Sequence, residues 1–213
     1  LDGTQLNSEQ LQYQEVLASS AQNLSLLLDD LFDLTRIEVG LMRIEPAPTD
    51  LHKLLKQIET NSLRSAVEQT IELSFDWDPQ ILPRWVLLDP KRVTQILANL
   101  IQNSLKFTQN GWVKLHVSST HDTILFAVSD TGKGLPPDAQ SIFQKYHQEL
   151  AGQGGLGLGL SICQMLAEHM GGSISAHHRE PHGAELRVQI PLVMANEPSI
   201  IQNTAALNQQ HRQ

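Results

Sequence analysis

Asn99, Asn103 and Lys106 recur at i, i+4 and i+7, the spacing that lines three side chains along one edge of a helix. Val93, Leu97, Leu100, Ile101 and Ser104 fall on another side of that helix. A carboxamide oxygen is a hard, neutral donor suited to a magnesium ion that keeps most of its waters and its phosphate ligands. A lysine one turn further on supplies a point charge for a terminal phosphate. An amphipathic helix with a solvated polar face has the same pattern, so the stripe alone leaves both readings open.

Two glycine-containing stretches follow. Asp130-Thr-Gly132-Lys-Gly134 comes directly after an apolar strand pattern. A carboxylate at a strand end can accept a hydrogen bond from an exocyclic amine, and Gly132 and Gly134 let backbone approach a flat ring without a Cβ in the way. Such a site favours adenine, whose edge offers an amino donor where guanine offers a carbonyl; an ordinary turn would also use these residues. Gly155-Leu156-Gly157-Leu158-Gly159-Leu160 opens a helix, where backbone N–H groups and the positive end of the helix dipole can meet phosphate oxygens. A flexible loop would explain the glycines but not the interleaved leucines. No Gly-x-x-x-x-Gly-Lys-[Ser/Thr] occurs, and the literal Gly-x-Gly-x-x-Gly match at Gly152 to Gly157 has no apolar strand before it.

The elements that must hold these residues can be laid out in order. Asn7 to Glu38 reads as one long helix, with Asn7 and Gln10 as a capping box and an apolar seam of Tyr13, Leu17, Leu24, Leu27, Leu31 and Leu34. At roughly 1.5 Å per residue it would run about 45 Å, so part of the seam should meet another helix or subunit. The prolines at 46 and 48 break that pattern and place a domain boundary there. Thr49 or Asp50 then caps a helix to about Gln69, with Leu51, Leu54, Leu55, Ile58, Leu63 and Val67 as its apolar positions. Strands are expected at Ile71–Trp77 and Trp85–Leu88, and Asp89-Pro90 starts the stripe helix. A hairpin follows at Trp112–Ser118 and Thr123–Ser129, then a helix from Leu158 to Met170 stopped by Gly171-Gly172, then strands at Ser173–His177 and Ala184–Leu192. The sum is an α+β, two-layer sandwich: a mixed sheet with helices on one face, preceded by a long helix. Residues 1–45 form the leading region, 46–193 the main domain and 194–213 a polar tail.

Composition narrows the function classes. A formal charge of -8 leaves no Lys/Arg cluster to neutralise nucleic-acid phosphates, so no nucleic-acid partner is expected. No apolar run approaches a membrane span. The one cysteine, Cys163, fits a reducing, cytoplasmic setting and reads as a small core residue. Leu1 looks like a cut point, which leaves room for a parent protein anchored in the inner membrane.

Asn99-x-x-x-Asn103-x-x-Lys106-Phe107, Asp130-x-Gly132-x-Gly134, Phe143 and Gly155-x-Gly157-x-Gly159, in this order, resemble the N, G1, F and G2 boxes of sensor histidine kinases. The resemblance covers about Asn7 to Leu192. It implies a Bergerat-type ATP-binding sandwich attached to the second helix of a dimerisation hairpin, with ATP and Mg²⁺ as cofactors. Residue by residue, it implies that Asn103 binds Mg²⁺, Asn99 lines the metal and phosphate site and Lys106 touches phosphate. Phe107 would lie near the nucleotide, Asp130 would take the adenine amine, the Gly155 to Gly159 run would close on phosphates, and Gln140 to Gly154 would form a mobile lid. Similar proteins that hydrolyse ATP carry a glutamate where this chain has Asn99; an amide cannot take a proton from water, which preserves the γ-phosphate for a protein acceptor. The implied activity is transfer of that phosphate to a histidine outside this chain and onward to a response-regulator aspartate, in a homodimeric parent. Alternatives are a regulatory nucleotide-binding module acting by helix association and an ATPase of the gyrase-like group. The chain departs from the family at Leu156, often Thr, and at Gly183-Ala184, usually Gly-Ser/Thr. None of its nine histidines has the setting of a phospho-acceptor.

Overall fold

The structure is a computed structural model that describes residues 39–66, 71–144 and 157–198, together with 31–37 and scattered positions from Asn7 to Leu28. At the start of the leading segment the expected capping box is formed. The Gln10 amide donates to Asn7 Oδ1 at 2.8 Å and the Asn7 amide to Gln10 Oε1 at 3.0 Å. Residues 31–37 are helical, and Gly40, at φ +68, turns the chain out of that helix. Of the apolar seam, Leu34 is buried while Tyr13, Leu17 and Leu31 are exposed; Leu24 and Leu27 lie outside the described residues.

The proline-rich segment is more than a break. Ala47–Asp50 forms strand β1, antiparallel to β3 (Trp85–Leu88) in a small sheet of their own. Pro48 tolerates this because an edge strand need not donate every ladder bond. The start of the expected tail joins the other side, with the Leu87 amide donating to Val193 O at 2.8 Å and the Ala195 amide to Trp85 O at 3.1 Å. Helix α1 (Leu51–Ala66) follows, capped by Asp50, whose Oδ1 accepts from the Lys53 amide at 3.0 Å. Leu51, Leu54, Leu55 and Ile58 are buried as expected, but Leu63 is 40% exposed, beyond the reach of the core; Val67 is outside the described residues.

The main sheet has the order β2-β4-β5-β7-β6, from β2 (Ile71–Asp76), β4 (Gly111–Ser119), β5 (Thr123–Asp130), β6 (Ser173–His178) and β7 (Ala184–Pro191). The β2 and β4 strands run parallel and every other pair antiparallel, which makes the sheet mixed. Helices α1, α2 (Pro90–Phe107) and α3 (Gly159–His169) pack against it and against one another. Alternation puts Val113, Leu115 and Val117 of β4 and Leu186, Val188 and Ile190 of β7 in the core, where α2 meets them with Val93, Leu97, Leu100 and Ile101. Cys163 is fully buried there too. Leu34 and Met42 belong to this same core, so the end of the leading helix is packed into it.

Candidate nucleotide site

Helix α2 is fixed at its start by Asp89, whose Oδ1 accepts from the Lys91 and Arg92 amides at 3.0 and 3.1 Å, with Pro90 as first residue. Its apolar face sinks into the core, and the stripe comes out on the opposite edge. Asn103 Nδ2 donates to Asn99 Oδ1 at 3.0 Å, so the two carboxamides are held as a pair. That bond uses the Asn103 nitrogen, and the Asn103 oxygen is the atom the chemistry leaves for a hard cation.

The glycine-rich helix start arrives at this pair. A Cβ on Gly159 would sit 2.6 Å from both polar atoms of the Asn99 carboxamide, a distance only glycine allows. The stripe helix and the N-terminus of α3 therefore meet at Asn99, with Gly157 at φ +67 and Leu158 buried. Leu160 is partly buried against the core, while Gly155 and Leu156 lie outside the described residues. The α3 N-terminus has no side-chain cap, which leaves its first amides without a side-chain acceptor.

At the other end of α2, Gly132 packs on the helix terminus: a Cβ there would come within 2.5 Å of Phe107 O, and the Lys133 amide donates to that oxygen at 3.3 Å. Asp130, buried at the end of β5, accepts at Oδ1 from the Gly132 amide (3.0 Å) and the Ala184 amide (3.2 Å). Burial pushes its carboxyl above the ordinary carboxylate range, against the opposing pull of those two amides, the Ser104 hydroxyl and Arg179. Ser104 and Asp130 are close enough for that influence without meeting hydrogen-bond geometry, and the Oγ atoms of Ser104 and Thr108 are buried with no partner.

Phe107 is flanked by two ammonium groups, Lys133 Nζ at 4.5 Å and Lys106 Nζ at 5.3 Å from the ring centre. Burial, and then Lys133, lower the Lys106 pKa. Gly134, at φ +82, and Gly183, at φ +108, shape the loops around Asp130; a Cβ on Gly183 would strike Asp130 O. Phe143 is buried in a 3₁₀ turn at Ala139–Phe143, and residues 145–154 of the expected lid are outside the described residues.

The sequence pattern of the histidine kinase-, DNA gyrase B- and HSP90-like ATPases matches residues 88–194, about half of the chain and nearly all of the site. The chain belongs to this ATPase family. Among curated relatives it is 34% identical to the signal transduction histidine-protein kinase BarA of Escherichia coli K12, over 93% of this chain and 22% of BarA. It is 35% identical to the circadian input-output histidine kinase CikA of Synechococcus elongatus, over 91% of this chain and 26% of CikA. The chain thus spans about a quarter or less of these relatives. The crystal structure of full-length ShkA in complex with AMPPNP superposes with a TM-score of 0.75 at 33% identity, covering 92% of this chain and 42% of ShkA. The chain is homologous to the ATP-binding catalytic region of sensor histidine kinases, and its mixed sheet with helices is the fold of those domains.

Four groups at the site were not singled out for it by the sequence: Ser104, Thr108, Lys133 and the Ala184 amide. Ser104 carried a signal, since a serine on an otherwise apolar helix face is out of place. A backbone amide brought in from β7 carries none.

Proposed function

We propose that this chain binds Mg·ATP between α2 and the start of α3 and passes the γ-phosphate in line to a histidine outside the chain. A response-regulator aspartate is then the next acceptor, and a homodimer, formed through the leading helix with its exposed Tyr13, Leu17 and Leu31, the working state. Residues 1–45 are read as part of the dimerisation region, 46–193 as the catalytic domain and 194–213 as a tail.

The observation that carries this reading is the contact of Gly159 with the Asn99 carboxamide. It supports one enclosure made by the stripe and by a helix N-terminus, the arrangement a polyphosphate needs. Asn103, through its amide oxygen, would hold Mg²⁺ with Asn99 lining the metal and phosphate site, and the ion would supply positive charge against the charge that develops on phosphate. Lys106 supplies a cation for phosphate, and its lowered pKa reflects a charge held partly out of water near another cation, where an anion relieves both. Phe107 borders the nucleotide. Asp130 accepts from the adenine amine, with Gly132 and Gly134 admitting the ring. The amides of the Gly155 to Gly159 run and of Leu156, Leu158 and Leu160 close on phosphate. Asn99 has no proton-accepting oxygen basic enough to activate water, so phosphate is kept for a protein acceptor.

The test is transfer of labelled phosphate from ATP to a separate hairpin bearing the acceptor histidine. Asn103→Asp and Lys106→Ala should each reduce transfer at least about a hundredfold with far-ultraviolet circular dichroism unchanged. Wild-type rates in both variants would sink the assignment. Brisk phosphate release without a protein acceptor would favour the gyrase-like alternative.

A further inference from the structure

The end of the leading helix meets the nucleotide helix through more than apolar packing. Asp33, Leu34 and Ile37 fall on one face of the helical segment 31–37; Leu34 and Ile37 pack with the core, while Leu31, Phe32, Thr35 and Arg36 are exposed. Asp33, 9% exposed, pairs with Arg92, 7% exposed, at 3.1 Å from Oδ2 to Nη1. Among the described residues this is the one ion pair whose partners are both buried; Asp50–Arg84, Lys56–Glu59 and Glu185–Arg187 each keep a side chain in solvent. Gln95 Nε2 donates to the same Asp33 oxygen, and Met42 Sδ accepts from Arg92 Nη2. A polar cluster satisfied in this way admits one arrangement of its elements, where apolar contact alone admits several.

The connection that follows is tied down as well. The Leu41 and Met42 amides both donate to Arg36 O, at 2.8 and 3.0 Å, and the Gly40 amide donates to Ile37 O at 3.0 Å. The Glu45 amide donates at 3.0 Å to Asp89 Oδ2, the carboxylate whose other oxygen caps α2. The start of α2 is therefore held twice, by the leading helix through Arg92 and Gln95 and by the connection through Asp89. Arg92, Gln95, Asn99, Asn103 and Lys106 stand at i, i+3, i+7, i+11 and i+14, so the cluster and the stripe share one edge of one helix. Over the roughly 20 Å from Arg92 to Lys106 a helix is stiff, and the orientation set at its start is imposed on the stripe.

We propose that Asp33 is a positioning residue for phosphotransfer: acting through Arg92 and Gln95, it fixes the nucleotide helix on the helix end at 33–37 as one rigid unit, and the connection at 39–46 is not a hinge. An acceptor hairpin seats on the leading helix, where Tyr13, Leu17 and Leu31 are exposed, and the γ-phosphate then meets its histidine from a direction that this cluster sets. The effect on transfer rests on the nucleotide reading; the rigidity of the unit does not.

The experiment joins a distance to a rate. Nitroxide labels at Arg36→Cys and His121→Cys, both exposed, with Cys163 left buried, report the separation of the helix end and the sheet by double electron–electron resonance without nucleotide. The otherwise unchanged chain should give one narrow separation, broadened in Asp33→Asn and, to a smaller extent, in Gln95→Ala. Gln95→Ala keeps the ion pair and so carries the test if Asp33→Asn does not fold. In transfer to the separate hairpin at saturating Mg·ATP, kcat should fall at least about tenfold in Asp33→Asn, less in Gln95→Ala, with the Kd for Mg·ATP unchanged. A loss of stability alone would lower the folded fraction and leave the separation narrow. A broad separation in the unchanged chain, or a narrow separation or undiminished kcat in the variants that fold, would overturn the proposal. Failure of wild type to bind Mg·ATP would instead defeat the nucleotide reading, with the separations unaffected.

Discussion

The two halves of α2 handle buried polar groups in opposite ways. In the first half, Arg92 Nη1 lies 3.2 and 3.1 Å from the two oxygens of Asp33, Gln95 Nε2 donates to Asp33 Oδ2 at 2.8 Å, and Arg92 Nη1 also donates to Gln95 Oε1 at 2.9 Å. Met42 Sδ accepts from Nη2 at 3.2 Å. Charge and hydrogen bonds are matched, and the cluster ties the end of the leading helix to the nucleotide helix. Three turns later Ser104 and Thr108 are buried without partners, and the carboxamide pair has an oxygen to spare. A polar cluster that satisfies itself holds structure together; one that does not is built for something else.

The largest effect should come from breaking the satisfied cluster. Asp33→Ala leaves a buried guanidinium without its carboxylate and should cost about 3–5 kcal/mol in denaturant unfolding. The folded fraction should keep its ATP affinity; unchanged stability would mean the pair is solvated. Next comes Gly159→Ala, which improves helix propensity yet pushes a methyl group into the Asn99 carboxamide. Phosphotransfer should fall at least about tenfold, or about 1.4 kcal/mol of barrier, with little change in stability. Full activity would show that the two elements do not share the ligand.

A smaller effect should appear with pH. The Asp130 pKa is raised in the folded chain, so its contribution to stability is present below the ordinary aspartate value and is lost as pH rises through the folded value. On the proposed reading, in which the Asp130 carboxylate accepts from the adenine amine, nucleotide binding favours the ionised form and should run the other way, weakening as pH falls through that raised value. A titration of ATP affinity that stays flat until the ordinary aspartate range would contradict this. The smallest effect is electrostatic: Lys133→Gln removes a like charge near Lys106 and should raise the Lys106 pKa, read by nuclear magnetic resonance of the side chain, while burial keeps it below a free lysine.

The sheet, its three helices and their order were legible because period-2 and period-3.6 patterns were unbroken and the punctuation was strong: Asp89-Pro90, Gly111, Gly171-Gly172. The stripe was legible because three functional side chains share one helix. Two features were not. Ala47–Asp50 carries prolines that speak for a break, and only its pairing with β3 makes it a strand. The Asp33–Arg92 cluster joins residues 59 apart in sequence, and no local pattern records such a meeting. Likewise the expectation for Leu63 followed periodicity past the point where α1 leaves the core.

The central claim is that the carboxamide stripe and the α3 N-terminus grip one Mg·ATP. The most direct test is a double-mutant cycle in Mg·ATP affinity with Asn99→Ala, Gly159→Ala and the pair. If the added methyl of Gly159→Ala acts by displacing the Asn99 carboxamide, each single change weakens binding and the double variant binds no worse than Asn99→Ala alone. Penalties that simply add would place the two residues in separate sites and contradict the account.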